Sequence, residues 1–336
     1  MIKAKMVIAL LWITALLLAG WTLAQLPVAE IGARLSSVKL NDYAPWVLAN
    51  IAILLLSNYR WWMLSKAVKA PINFWRLLFI KQAGQSISFI TPGPQFGGEP
   101  LQIYWLWQSS KIALHKALLS LGLDRFFELW VNFSILILGV ILLSVSTANT
   151  TASWEHILIT LLNVIGLLSL VGFILIKQPQ WLSQRLNTVA HQWQTHRYLH
   201  SVKTQWNLLT DDLRCCLHTE RKILLSALLI SLLGWAGLFI ELQLILWMSD
   251  ANTNLTGFLL IFVAMRLAML LPLPGGVGTI EAAIFWAFSY LSLSMESALT
   301  VIALMRLRDA AVLIFGLGCM AGCRHITAKT PAHSPS

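Results

Sequence analysis

Thr91-Pro92-Gly93-Pro94-Gln95-Phe96-Gly97-Gly98-Glu99 separates two apolar runs of the chain. Proline removes a backbone donor and glycine frees φ, so a helix cannot continue through this stretch. Inside a bilayer, irregular backbone is tolerated only where protein or a water-filled cavity covers it. The stretch therefore predicts a helical hairpin that turns inside a membrane protein.

A second stretch of the same kind follows much later, at Pro274-Gly275-Gly276-Val277-Gly278-Thr279-Ile280-Glu281. In both stretches a Pro-Gly pair is followed by five residues and then by glutamate. Two breaks in corresponding halves of a membrane chain indicate a binding site of the kind found in transporters with inverted repeats.

Composition places the chain in a membrane. Of its 336 residues 57% are hydrophobic and 11% are charged, and several continuous apolar runs are long enough to cross a bilayer. Continuous rather than alternating runs exclude a β-barrel. We expect an all-α polytopic membrane protein with about six transmembrane helices plus two re-entrant helical hairpins in an inverted repeat. The predicted spans are Met1–Ala24, Ala44–Leu64, Ala117–Val145, Ile157–Ile176, Ile223–Met248 and Ser297–Gly322.

Basic residues concentrate in alternate loops, which predicts cytosolic N- and C-termini by the positive-inside rule. One transmembrane domain, 1–322, would contain pseudo-repeat halves at about 44–176 and 223–322. The basic loop 177–222 between them is predicted to form amphipathic helices on the inner leaflet. Residues 323–336 are predicted to form a cytosolic tail. Met1–Ala24 has features of a signal peptide, but its apolar run is long, so we expect an uncleaved helix.

The net charge of +10 does not indicate nucleic-acid binding, because the basic residues follow membrane topology rather than a groove. Cys319, Cys323 and His325 fit no common zinc spacing, so no metal is expected. The sequence has no Walker, Rossmann, zincin or Gly-x-Ser-x-Gly pattern, and we expect neither a cofactor nor enzymatic activity.

Charges inside the apolar segments are the candidate binding groups, since a charge at mid-bilayer costs at least ~2.5–3.5 kcal/mol unless it is paired or faces water. Asp124-Arg125 and Arg308-Asp309 follow the two glutamates at similar distances and are predicted to correspond. Arg60 and Lys81 are assigned to cytosolic helix ends, and Glu241 has no apparent counterpart. The predicted headgroup site comprises Pro92, Gly93, Gly97, Gly98, Glu99, Asp124, Arg125, Glu128, Arg266, Pro274, Gly275, Gly276, Gly278, Glu281, Arg306, Arg308 and Asp309.

Two alternatives stay open for these residues. The arginines could complement a phosphate while glycine-rich turns present N–H groups to it. Alternatively, Glu99 and Glu281 could only cap the half-helices, and the Arg–acid pairs could only hold helices together.

The motifs at 92–100, Asp124-Arg-Phe-Phe-Glu128 and 274–281 together resemble the lysylphosphatidylglycerol synthase transmembrane-region family, the flippase-like domain also found in multiple peptide resistance factor proteins. The resemblance covers about Val47 to Gly322. It implies a multi-pass protein of a bacterial or archaeal cytoplasmic (inner) membrane, with lipid translocation as its activity. The chain departs from the family at Gln102, where many members have arginine, and in the acid types at 124 and 128. It does not contain the soluble aminoacyltransferase domain of the fused members.

The leading hypothesis is therefore a translocase whose partner is a membrane lipid, either an anionic phospholipid or a polyprenyl-phosphate lipid. The alternative is a non-transporting accessory subunit that docks a lipid-modifying or glycosyl-transfer enzyme through 177–222. An intramembrane enzyme would need a nucleophile and a base, and the buried groups are carboxylates and arginines.

Overall fold

A computed structural model describes residues 39–91, 97–110, 112–146, 154–177, 197–271 and 273–328, and these residues are helical without strands. The predicted span Met1–Ala24 lies outside them. The helices are α1 Leu40–Ala67, α2 Phe74–Ile90, α3 Glu99–Tyr104, α4 Leu114–Ser146, α5 Trp154–Lys177, α6 Arg197–Thr219, α7 Arg221–Met248, α8 Leu255–Ala268, α9 Thr279–Tyr290 and α10 Met295–Ala328. A π-helical turn, Trp105–Ser109, extends α3, and a 3-10 turn, Pro274–Gly276, precedes α9.

Four of these helices, α1, α4, α5 and α7, are long and apolar enough to cross a membrane. They contain the second to fifth predicted spans, and the last predicted span, 297–322, lies inside the longer α10. The protein is thus an all-helical membrane protein, as the composition predicts.

Helices α1 and α7, which both have 28 residues, pack against each other and run antiparallel. Arg60 contacts Ser231, whereas Ile53, nearer the start of α1, packs against Gly237, nearer the end of α7. Residue numbers therefore decrease along α1 in the direction in which they increase along α7.

Each broken stretch joins two short helices into a hairpin. In the first hairpin, α2 has 17 residues, and the Lys116 ammonium beyond its exit donates to the Lys69 carbonyl before its entry, at 3.3 Å. In the second, α8 has 14 residues and α9 has 12, and Leu291 after α9 packs against Gly257 in α8. The entry and exit of each hairpin are therefore adjacent.

Both hairpins begin with the same local signal. Asn73 accepts from the amides of Trp75 and Arg76, at 2.9 and 3.4 Å, and Asn254 accepts from the Gly257 amide at 2.8 Å. An asparagine at this position satisfies donors that the first turn of a helix leaves without partners. Because the hairpins follow the antiparallel helices α1 and α7 directly, they start at opposite ends of the bundle.

The end of α2, in the first hairpin, meets the turn of the second hairpin. The ring of Phe89, at the end of α2, lies against Gly275, and any Cβ at that position would overlap the ring. Gly275 also has φ of 57°, a conformation that glycine adopts without steric cost. Along its length α2 packs closely on α10, where Ser86 faces Gly316.

The loop predicted at 177–222 contains helix α6, while 178–196 lies outside the described residues. Leu213 and Cys216 of α6 are buried against the bundle, and Asp212 lies 3.4 Å from His115 of α4. Cys215 on the same helix is exposed. Helix α6 is thus amphipathic and packs on the membrane-spanning helices.

Candidate functional site

The first charge cluster is centred on Asp124 of α4, which is only 1% exposed. Its Oδ1 accepts from Arg60 Nε at 2.7 Å, and its Oδ2 accepts from Lys81 Nζ at 3.1 Å. Lys81 also donates to the carbonyl of Ser57 at 2.8 Å. One carboxylate therefore joins α1, α2 and α4, and both cations have a counter-charge inside the bundle.

From Arg60 the network continues toward the first turn. Arg60 Nη2 lies 3.2 Å from Glu128 Oε2, and that oxygen also accepts from Arg125 Nη1 at 3.1 Å. Arg125 Nη2 is 3.3 Å from Glu99 Oε1, and Glu99 Oε2 accepts from the Gly97 amide at 2.7 Å. Three cations and three acids thus form a continuous chain of contacts that ends at the turn.

The contact between Arg125 and Glu99 is less complete than the others. Although the ion-pair distance is short, Glu99 Oε1 and Arg125 Nε are both buried without a hydrogen-bond partner. The side chain of Glu128 is 37% exposed. This end of the first cluster therefore retains hydrogen-bonding capacity.

Arg60 and Lys81 belong to the candidate site, although the sequence analysis does not include them in it. It assigns both to cytosolic helix ends, but they are 6% and 4% exposed and belong to the cluster. Arg60 lies seven residues before the end of α1, and Lys81 lies seven residues after the start of α2. The charges within α4 could have indicated them. Asp124 and Glu128 share this helix with only one arginine, so a further cation from another helix is needed to balance the two acids.

The second cluster is built around Arg306 of α10. Its Nε donates to Glu281 Oε1 at 2.7 Å and its Nη1 donates to Asp309 Oδ2 at 3.0 Å. The same guanidinium reaches the carbonyls of Gly275 and Gly276, at 3.3 and 3.4 Å. All three guanidinium nitrogens are therefore occupied, and they fix the second turn to α10.

Glu281 both caps its helix and pairs with an arginine. Its Oε2 accepts from the Gly278 amide at 2.8 Å, while its Oε1 takes the Arg306 bond. Glu99 makes the same two kinds of contact at the first turn, with Gly97 and Arg125. Each turn glutamate thus accepts a hydrogen bond from a backbone amide of its turn and also pairs with an arginine.

Arg308 extends the second cluster to α7. It donates from Nε to Asp309 Oδ1 at 3.0 Å and from Nη1 to Glu241 Oε1 at 2.9 Å. Glu241 is 3% exposed and accordingly has a counter-charge, although the sequence offered none.

The correspondence between the clusters differs from the predicted one. Arg125 and Arg306 each lie eleven residues after the first residue of their helices, and Glu128 and Asp309 each lie fourteen residues after it. Each arginine pairs with the acid three residues later. Arg125-Glu128 and Arg306-Asp309 therefore occupy the same positions in α4 and α10, whereas the sequence predicts that Asp124-Arg125 corresponds to Arg308-Asp309.

Arg266 of α8 is the member of the predicted set that joins neither network. Its guanidinium carbon lies 4.7 Å from the ring centre of Trp235 and 5.5 Å from that of Phe262. Its Nη1 contacts the sulfur of Met269 at 3.7 Å. No carboxylate among the described residues forms an ion pair with it.

Of the remaining predicted residues, Gly98 donates its amide to Ser88 Oγ at 2.9 Å and closes the first hairpin. Gly276 and Gly278 have φ of 61° and 89°. Pro274 opens the second turn, whereas Pro92 and Gly93 lie outside the described residues.

A cleft of about 430 Å³ lies between α7 and α8. It is lined by Phe239, Ile240, Gln243, Thr253, Asn254, Leu255 and Phe258.

Comparison with known proteins agrees with the resemblance seen in the motifs. The family model described as lysylphosphatidylglycerol synthase TM region matches residues 4–316. A UPF0104 membrane protein of Methanothermobacter thermautotrophicus is 24% identical over 281 residues, which cover 76% of this chain and 78% of the relative. No solved structure gives a significant match.

Proposed function

Because the chain belongs to the lysylphosphatidylglycerol synthase TM region family, we propose that it is a translocase for an anionic membrane lipid or lipid-linked headgroup. The relative is named only as a membrane protein, so the substrate class rests on the geometry of this chain.

The observation that carries the proposal is the contact between the end of α2, in the first hairpin, and the turn of the second hairpin. Phe89 and Gly275 meet, and each turn is bonded to a cluster of buried charges, through Glu99 and through Arg306. Buried ion pairs contribute little net stability, because desolvation offsets their attraction. Irregular backbone beside several buried charges in an apolar bundle is therefore better explained by passage of a polar group than by stability.

We propose further that the halves 44–176 and 223–322 form an inverted repeat and that both hairpins are re-entrant. The antiparallel α1 and α7, the adjacent ends of each hairpin and the similar capping of α2 and α8 support this arrangement. Each half would then present its charges toward one membrane face, and motion of one half against the other would move a headgroup between faces.

In this mechanism the arginines complement the phosphate, and the acids hold the arginines in place when no lipid is bound. Arg125, with its incomplete contact to Glu99, is the group of the first cluster best suited to exchange a protein carboxylate for a phosphate. We propose that the chain is not itself an enzyme.

The test is lipid translocation by purified protein in proteoliposomes of phosphatidylcholine with a trace of fluorescent phosphatidylglycerol. Dithionite, which does not cross the bilayer, reduces only the outer-leaflet dye, so translocation raises the reduced fraction above one half. We expect wild-type protein to translocate the lipid and Arg125→Gln and Arg306→Gln to lose most of the rate. Arg221→Gln, which removes an exposed arginine at the start of α7, is the matched control.

Normal rates in both cluster variants would reject the proposed residues, and no translocation by wild-type protein would reject the function. The latter result favours the second candidate, an accessory subunit for a lipid-modifying or glycosyl-transfer enzyme. One observation supports that candidate: α6 is anchored by Leu213 and Cys216, which leaves Asp211, Cys215 and His218 exposed on its other face.

A further inference from the structure

The charges of the first cluster balance one another. Its cations are Arg60, Lys81 and Arg125, and its acids are Glu99, Asp124 and Glu128. The cluster has no net charge when all six side chains are ionised. A phosphodiester that enters it adds one negative charge. Because an uncompensated charge inside an apolar bundle is costly, an anionic headgroup that binds here requires a compensating positive charge.

Arg125 has the binding edge that a phosphate needs. Nε and Nη2 of an arginine lie on the same edge of the guanidinium, and Arg60 uses this edge to bind Asp124 and Glu128. In Arg125, Nε has no hydrogen-bond partner, and Nη2 has only the 3.3 Å contact with Glu99, whose geometry leaves Oε1 without a hydrogen bond. Two neighbouring N–H groups of a guanidinium match two oxygens of a phosphate.

The equivalent arginine of the second turn does not offer such an edge. Nε of Arg306 donates to Glu281, and Nη2 lies 2.6 Å from the same carboxylate and 3.4 Å from the Gly276 carbonyl. A phosphate would have to break several formed hydrogen bonds there. At Arg125 it would replace only one contact, so the first turn is the one that accepts the headgroup in this structure.

Glu99 is the acid of the first cluster that depends on a single cation. Asp124 and Glu128 each have two cations within 3.2 Å. Glu99 has only Arg125 among the described residues, and its side chain is 19% exposed. A phosphate on the edge of Arg125 would therefore remove the one counter-charge of Glu99, whereas the other two acids would each keep at least one.

No other charged group takes over from Arg125. The ionisable residues of the cluster on neighbouring helices are Arg60 on α1, Lys81 on α2, and Asp124, Arg125 and Glu128 on α4, and residues 92–96 of the turn have no ionisable side chain. On α10, which packs on the π-helical turn after α3, Arg306, Arg308 and Asp309 are bonded within the second cluster. Among the described residues, none of these three forms an ion pair with Glu99.

We infer that an anionic headgroup binds the first cluster together with one proton: its phosphate takes the Nε and Nη2 edge of Arg125, and the displaced Glu99 carboxylate accepts a proton from water. This inference rests on the proposed function and adds a proton to each lipid. The proton converts the Glu99 carboxylate to a carboxylic acid, and no other covalent bond forms or breaks. The cluster is then neutral again, and a translocated headgroup carries one proton in the same direction.

The test is binding of dihexanoyl phosphatidylglycerol to the full chain in a maltoside detergent, at about pH 6 and at about pH 8. The phosphodiester stays ionised and this headgroup has no cationic group, so a change in affinity reports on the protein. Raising the pH removes the proton that the complex takes up, so wild-type affinity should fall, by at most about tenfold per pH unit.

Glu99→Gln makes the compensation permanent, because it removes one negative charge from the cluster. At about pH 8 this variant should bind several-fold more tightly than wild-type protein, and its affinity should change little with pH. Glu155→Gln removes an exposed acid at the start of α5 and should bind as the wild type does at both pH values. Glycerophosphoglycerol, which has the phosphodiester without acyl chains, should compete much more weakly than the lipid.

Wild-type affinity that does not change with pH would overturn the inference, and so would Glu99→Gln protein that binds no more tightly than wild type or retains its pH dependence. Equal competition by glycerophosphoglycerol would assign the site to a soluble phosphodiester and overturn the lipid assignment. Should Glu99→Gln fail to fold, a pH-indicator dye in weakly buffered solution measures proton uptake by the wild type. We expect up to about one proton per lipid bound, and no uptake at either pH contradicts the inference.

Translocation is measured separately in proteoliposomes. Proton-linked binding without translocation rejects only the proposed function. Translocation by a protein whose lipid binding takes up no proton rejects only this inference.

Discussion

Arg60 and Glu241 occupy the same position along their helices, α1 and α7, and carry opposite charges. Each lies twenty residues after the first residue of its helix. Arg60 pairs with Asp124 on α4, whereas Glu241 pairs with Arg308 on α10. In the proposed repeat, the contact between these helices would be kept while the cation and the acid exchange places, which would explain why Glu241 has no apparent counterpart in the sequence.

Removal of both members of such a pair should destabilise the protein by less than the sum of the two single removals. Arg308→Gln leaves Glu241 buried without its cation, and breaking a buried pair costs about 3–5 kcal/mol. Unfolding of single and double variants in mixed micelles measures the coupling. We expect Glu241→Gln with Arg308→Gln to cost less than the sum of the single changes, by about 0.5–3 kcal/mol. Strict additivity would contradict the pairing.

The second turn should depend on glycine at position 278. Gly278 has φ of 89°, so Gly278→Ala forces an L-residue into a conformation that costs about 1–3 kcal/mol. Gly234 lies within α7 and has open space around its Cβ position, so it is the matched control. Gly234→Ala should be neutral or stabilising by up to about 1 kcal/mol. The same unfolding assay checks both, and equal effects of the two variants would count against the turn geometry.

The asparagine caps offer a test of the hairpin entries. Asn254→Ala removes the acceptor for the Gly257 amide and should lower the free energy of unfolding by about 1 kcal/mol. Asn254→Ser retains an acceptor oxygen and should restore most of this loss. If alanine and serine have the same effect, the side chain does not cap α8.

Cysteine labelling should distinguish the two faces of α6. Burial raises the pKa of Cys216 to about 11, so its thiol is protonated and unreactive near neutral pH. In a background with Cys319→Ala and Cys323→Ala, Cys215→Ser protein should react slowly with maleimide, and the rate should rise as pH increases toward 11. Cys216→Ser protein retains the exposed Cys215 and should react rapidly at neutral pH. Rapid labelling of Cys216 at neutral pH would contradict the packing of α6.

Apolar run length and the Pro-Gly stretches were sufficient to predict the helical class and the two hairpins. Glu99 and Glu281 could be placed at the turns because each lies only a few residues after the Pro-Gly pair that forms its turn. The ion pairs could not be predicted in full, because Arg60 and Lys81 are far from Asp124 in the sequence. From the sequence alone, both also resemble cations that lie at the membrane interface. Partner choice there depends on how α1, α2 and α4 pack together.

The repeat register could not be fixed from the sequence for a similar reason. Arg308-Asp309 and Asp124-Arg125 both contain an arginine beside an aspartate, so distance from the turn glutamate matched them. In the structure it is Arg125 and Arg306 that make the same two contacts, since each pairs with its turn glutamate and with the acid three residues later. The aromatic contact of Arg266 likewise involves Trp235 from another helix and has no local signature.

The most direct test of the central claim, two re-entrant hairpins that enter from opposite faces, is the sidedness of four exposed positions. Single-cysteine variants Pro71→Cys, Ala113→Cys, Asn252→Cys and Ser294→Cys in a cysteine-free background place thiols before and after each hairpin. Labelling with an impermeant maleimide in vesicles of known orientation should give 71 and 113 on one face and 252 and 294 on the other. Labelling of 71 and 113 from opposite faces, or of 252 and 294 from opposite faces, would contradict the account.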